Sequence, residues 1–229
     1  MAPVASVHIA DVGVRKGLRF VRKAPTPGSI EGLRHAEVAL TGPLSASVMP
    51  SPSPGRVGLI AFWEDDDALG AFLADHPLAA ALAGGWHARL EPLRAFGAWP
   101  GLPSDLPVNR TTEYQGPALV LTLGRLRLSQ TVRFLRTSSR AEGAVVDAAG
   151  LVWATGLAKP PFVSTCSLWE SVDALSAYAY REKDAAHPTA ISVDRAKPFH
   201  HRQAFVRFRP YAMHGQLQGR NPLPAQALA

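Results

Sequence analysis

The chain has 229 residues with 47% hydrophobic content, enough for a sizeable core and too much for wholesale disorder. Its 24 Lys and Arg against 18 Asp and Glu give a net charge of +6, yet no interleaved aromatic platform or nucleic-acid motif goes with the excess, so nucleic acid is not the expected partner. A single cysteine, Cys166, excludes an internal disulfide and fits a reducing, cytoplasmic setting, while no run approaches the roughly 18 apolar residues of a membrane span.

In chain order, VASVHI at 4–9 alternates imperfectly and reads as a first strand. The N-terminal apolar stretch carries His8 and Asp11 and does not read as a signal peptide. Val14, Leu18 and Val21 recur at i, i+4 and i+7, which predicts a short helix burying that stripe and ending before Pro25, with Arg15, Lys16, Arg19, Arg22 and Lys23 on its solvated face. Pro25, Pro27 and Gly28 break the chain, and HAEVALT at 35–41 alternates as a half-buried strand. Residues 43–55, rich in Ser and Pro, are expected as a mobile surface loop. A strand at 57–62 follows, then a helix opened by Glu64 to Asp67, whose carboxylates suit the helix dipole, with Ala68, Leu69, Phe72 and Leu73 facing the core. A strand at 86–96 completes the order βαββαβ.

The second half repeats the first. Phe62-Trp63-Glu64 lines up with Leu168-Trp169-Glu170, and Asp67-Ala68-Leu69 with Asp173-Ala174-Leu175, at a shift of 106 residues (63 to 169). Val14, Leu18, Phe20 and Val21 match Leu128, Val132, Phe134 and Leu135 at a shift of 114 (14 to 128). Pro92, Gly97 and Gly101 match Pro210, Gly215 and Gly219 at a shift of 118 (92 to 210). Blocks whose offsets differ only by loop length indicate tandem duplication. The expected fold class is α+β, with repeats at 1–100 and 117–219, a linker at 101–116 and a tail at 220–229 outside the core. A βαββαβ unit is the ferredoxin-like sandwich, which leaves one sheet face bare. Two units burying those faces together would form an α/β barrel, with a cavity between helices and sheet in each half.

The chain has no Gly-rich phosphate loop, no Gly-x-Ser-x-Gly elbow and no Cys-x-x-Cys pair. Cys166 aligns with Ile60 and reads as core, and Asp65 to Asp67 read as helix-start carboxylates. His187 follows a helix whose buried side carries Ala174, Leu175 and Tyr178. Spacing leaves open whether its imidazole enters the helix–sheet cavity or completes the helix end, with His76 as its echo. His200 and His201 are further candidates, of which only one can face a site on a strand.

Trp169-Glu170-Ser171, Ala174-Leu175 and His187 resemble the strand–helix–His signature of dimeric α/β-barrel haem monooxygenases. Residues 150–219 more specifically resemble the bacterial spheroidene monooxygenase family, through Ser167-Leu168-Trp169, His187 with Ala190-Ile191, Arg195-Ala196, Phe199 and the run Ala204 to Arg209. That resemblance implies a pseudo-dimeric barrel that binds haem and inserts oxygen into a carotenoid, with electrons from ferredoxin. It implies His187 as the iron ligand, Arg195 as partner of a haem propionate, and Tyr178 and Phe199 as pocket walls. The sequence departs from the pattern by an added polar segment, Arg181 to Ala186, just before His187. Two readings of other kinds stand beside it, a cofactor-free barrel oxygenase and a barrel that binds an apolar ligand without turnover. The sequence leaves open whether the two halves close one barrel or two chains associate.

Overall fold

A computed structural model of the chain describes residues 2–44, 53–109, 112–181 and 198–223. The first half runs β1 (Val4–Asp11), α1 (Val14–Arg22), β2 (Leu33–Gly42), β3 (Ser53–Trp63), α2 (Asp66–Asp75), α3 (Pro77–Leu82) and β4 (Trp86–Gly97). The second runs β5 (Ala118–Leu126), a 3-10 turn at Leu128–Gln130, α4 (Thr131–Val146), β6 (Leu151–Lys159), β7 (Phe162–Trp169), α5 (Val172–Ser176) and β8 (His200–Gly215). The imperfect alternation of β1 has a cause. Ala5, Val7 and Ile9 enter one buried cluster while Ser6, His8 and Ala10 are covered on the other face.

The strands close into a barrel in the order β1-β3-β2-β6-β7-β5-β8-β4, every neighbouring pair antiparallel. Each half contributes the same ferredoxin-like order, β4-β1-β3-β2 and β8-β5-β7-β6. The halves join along two unequal seams. The β4–β8 seam pairs from Trp86 opposite Gly215 to Gly97 opposite Ala204, whereas β2 meets β6 only from Leu40 opposite Ala158 to Gly42 opposite Gly156. The bare sheet faces thereby become a filled lumen, holding Phe62, Trp86, Trp153, Phe162 and Phe208. Burying each such side chain stabilises the fold by roughly 1.5–3 kcal/mol. Cys166 lies here with no exposed surface, and burial pushes its thiol pKa up, so it is inert packing.

The matched glycines at the strand ends close the barrel. Gly97 and Gly101 adopt φ of 86° and 85°, and Gly215 and Gly219 adopt 81° and 75°. Such values favour glycine and turn the chain back over the barrel mouth. The turn after β4 inserts Trp99, and the turn after β8 inserts Leu217, each 4% exposed. The antiparallel β4–β8 register puts these plugs at opposite ends. Of the expected tail, Leu223 also packs into the lumen cluster at 8% exposure, while 224–229 lie outside the described residues. Leu102 and Leu106, in the segment expected as linker, likewise pack against it.

Other expectations need correction. In α1 the residue that seats on the sheet is Gly17, where a Cβ would come within 2.7 Å of the Pro54 carbonyl oxygen. That close approach turns Gly17, Phe20 and Val21 inward and leaves Val14 and Leu18 51% and 47% exposed. The matching Leu128 and Val132 are exposed too, at 69% and 61%. Residues 53–55 of the expected loop already belong to β3, while 45–52 lie outside the described residues. The first half holds no open helix–sheet cavity, since Trp63, Leu69, Phe72, Leu78 and Leu82 fill that layer. Part of the filling comes from α3, which proline at its first position starts and which the pattern of apolar residues had not separated from α2.

Candidate functional site

The second helix–sheet layer is built like the first but filled differently. Asp65 caps α2 by accepting from Ala68 N at 2.9 Å, and its counterpart Ser171 caps α5 by accepting from Ala174 N at 3.0 Å. The Trp63 indole donates to Ser6 Oγ, and the Trp169 indole donates to Ser167 Oγ, both at 3.0 Å. Phe72 packs on Trp63 with centroids 4.8 Å apart, and Tyr178 packs on Trp169 at 5.2 Å. Phe72 and Tyr178 are themselves equivalent at the 106-residue shift, a signal that could have identified this pairing from the sequence (72 to 178).

The difference lies beneath these pairs. In the first half His8 stands on the outer sheet face, 2% exposed, edge-on to Phe72 at 5.8 Å. The equivalent strand positions in the second half are Val120, Thr122 and Gly124 in place of Ser6, His8 and Ala10. Val120 and Thr122 are half-buried where Ser6 and His8 are buried. Among the described residues, the sheet surface of the second layer is thus less covered than that of the first. Its described helix also differs in geometry, because α5 spans five residues and passes into a π-helical turn at Ala177–Arg181. Such a turn is a common local feature of functional sites.

Two aromatic clusters stand on this layer. Trp169 and Tyr178 form one, with Tyr178 9% exposed. Phe199, 4% exposed, forms the other with Phe134 at 5.9 Å, and the Arg133 guanidinium lies 4.5 Å from the Phe199 ring centroid. The His200 ring packs edge-on to Phe134 at 5.4 Å and occupies the space over Gly124, where a Cβ would meet it at 2.5 Å. His201 points the other way and is exposed. Tyr178 and Phe199 are thus both placed on the expected layer, just outside the two ends of segment 182–197. His187 and Arg195 fall in that segment and lie outside the described residues.

Of the alternative histidines, His76 is accounted for structurally. Its Nδ1 accepts from Leu78 N at 3.1 Å as the cap of α3, and its ring packs on Phe72 at 5.2 Å. The acidic run is equally engaged: Asp66 receives Arg89 Nε at 2.9 Å and the Tyr211 hydroxyl, which ties β8 to the first-half helices. A row of imidazoles, His8, His87 and His214, crosses β1, β4 and β8 with centroids 5.2 and 4.9 Å apart.

No protein-family model matches the chain. Spheroidene monooxygenase from Rubrivivax gelatinosus is 33% identical over 175 residues, covering 74% of this chain and 66% of that relative. The chain thus spans just under two thirds of the relative's length. An aldoxime dehydratase in complex with butyraldoxime superposes with a TM-score of 0.51 at 9% identity, over 90% of this chain and 79% of that one, a likeness of fold alone. A second aldoxime dehydratase structure gives a TM-score of 0.48 at 9% identity, over 90% and 81% of the two chains. The 33% identity makes the chain a homologue of spheroidene monooxygenase, and its twice-repeated ferredoxin-like sheet folds it as a pseudo-dimeric α/β barrel.

Proposed function

We propose that the chain is a haem-dependent monooxygenase that inserts one oxygen atom into an apolar, carotenoid-like substrate. The observation that carries this reading is the 33% identity to spheroidene monooxygenase. The aromatic-walled second layer supports the place of the site. In this reading His187 would hold the haem iron through its imidazole, and Arg195 would neutralise a propionate by a charge-assisted hydrogen bond. Trp169, Tyr178 and Phe199 exclude water and hold the apolar faces of cofactor and substrate. Bound haem would supply the iron at which dioxygen is activated. The second oxygen atom leaves as water, with the electrons for that reduction drawn from a ferredoxin-type donor in the cytoplasm. A second copy of the chain is not needed to close the barrel, since all eight strands come from one chain.

The test is incorporation of isotopically labelled dioxygen into an acyclic carotenoid, followed by mass analysis, with reductant and haem-loaded protein. One labelled atom per product molecule is the expected result. Label arriving from water, or turnover by protein free of haem, would reject the reading, and the latter would favour a cofactor-free oxygenase.

A further inference from the structure

The outer surface of helix α1 combines a dense run of cations with exposed apolar residues. Arg15, Arg19 and Arg22 follow one another at i, i+4 and i+7, opposite the Gly17, Phe20 and Val21 side that meets the sheet. Lys16 and Lys23 extend the charge, and the helix carries no acidic residue. Among the described residues no carboxylate forms an ion pair with any of these five cations. Beside the arginine ridge, Val14 and Leu18 leave about half of their surface in water, an arrangement a solvated helix face does not need. The C-terminal end of α1 borders a cleft of ≈ 360 Å³ at the short seam, into which Arg22, Arg125 and Lys159 project among proline and phenylalanine walls. Glu37 in that cleft is committed to His35, at 3.0 Å, and to Arg125, so it does not neutralise the other two cations.

We infer that α1, with the cleft at its end, is the surface by which the protein docks on a bilayer rich in anionic lipid. Charge and apolar contact here come from one helix face, the pairing that holds interfacial helices on membranes. The arginines sit at headgroup depth and meet phosphates, while Val14 and Leu18 enter the acyl boundary. Nucleic acid is the poorer fit, because the aromatic residue of α1, Phe20, faces the sheet and the exposed neighbours are aliphatic. Docking deepens the function proposed above, since an apolar substrate of that kind resides in a bilayer. The inference itself stands on α1 and the cleft alone.

The experiment is co-sedimentation of the full chain with phosphatidylcholine vesicles, with and without added phosphatidylglycerol, in the absence of substrate. Sedimentation with the anionic vesicles alone, weakening as salt is raised, is expected. The double variant Arg15→Glu/Arg19→Glu should lose affinity by about thirtyfold or more. Leu18→Asn should weaken binding that persists at high salt. All three side chains are exposed, and an unchanged thermal transition checks the fold of each variant. Equal sedimentation with both vesicle types, no sedimentation with either, or a charge-reversed variant that binds like the parent would overturn the inference. Haem binding is read separately from the absorption spectrum, so failure of docking and failure of the proposed chemistry are distinguishable.

Discussion

At the scale of single residues, the two halves of the barrel use one position in two ways. Phe72 locks the first layer by packing on Trp63, His8 and His76. Tyr178 holds the same place on Trp169, in a cluster that Val120 joins from the sheet where the first half has Ser6. Phe72→Ala should therefore destabilise the fold by about 3–5 kcal/mol in urea titration, as expected for a buried aromatic. Tyr178→Ala should cost less stability in the haem-free protein and more in haem retention, read from a titration of the Soret band. The imidazole row has a separate consequence. Burial first, and His87 second, hold the His8 pKa down at about 3, and burial, His214 and Arg89 hold His87 at about 4. From the ordinary 6.5 down to those values, the unfolded chain binds protons that the folded chain refuses. Stability must then rise with pH through this window and fall as pH drops below about 6.5. A plot of thermal midpoint against pH should show that slope, and His8→Gln/His87→Gln should flatten it.

At the scale of elements, the period of an apolar pattern located α1 but did not orient it. Val14, Leu18 and Val21 satisfy the i, i+4, i+7 rule, and Gly17, Phe20 and Val21 satisfy i, i+3, i+4. The second set faces the sheet because only glycine permits the approach to Pro54. Gly17→Ala improves helix propensity by up to about 1 kcal/mol and should nonetheless lower the thermal midpoint, since the new Cβ would press on backbone. A raised midpoint would contradict the contact. The strand order was legible from alternation and from the repeat, as were both helix starts, because Asp65 and Ser171 carry their capping chemistry in the side chain. The plugs were not, although Gly97 and Gly101 and their counterparts were matched. What the matched glycines do depends on positive φ, and where Trp99 and Leu217 land depends on the closed barrel. The surroundings of the candidate site were legible in the same uneven way, with His187 and Arg195 outside the described residues. Tyr178 and Phe199 fall on the expected layer, while the Phe134, Arg133 and His200 group forms only when β8 returns beside β5.

At the scale of the whole molecule, the unequal seams decide where the protein is closed and where it is open. The β4–β8 seam is a long ladder with two register shifts, whereas the short β2–β6 seam is completed by side chains. There Arg125 of the second half pairs with buried Glu37 of the first, and its guanidinium lies 5.5 Å from the Trp99 ring centroid. Arg125→Met leaves the buried Glu37 carboxylate with His35 alone and should destabilise the chain by about 1–3 kcal/mol, less than a fully buried pair because Arg125 is partly in solvent. Adding Glu37→Leu should recover much of that loss in the same denaturant titration. The lumen is filled and plugged at both ends, and the function proposed above assigns the chemistry to the second helix–sheet layer instead. That assignment is tested most directly by the absorption spectrum of the protein expressed with a haem precursor, beside His187→Ala. A Soret band in the parent that is lost or strongly shifted in the variant is the predicted result. A band that the variant retains unchanged, or no band in either protein, would contradict it.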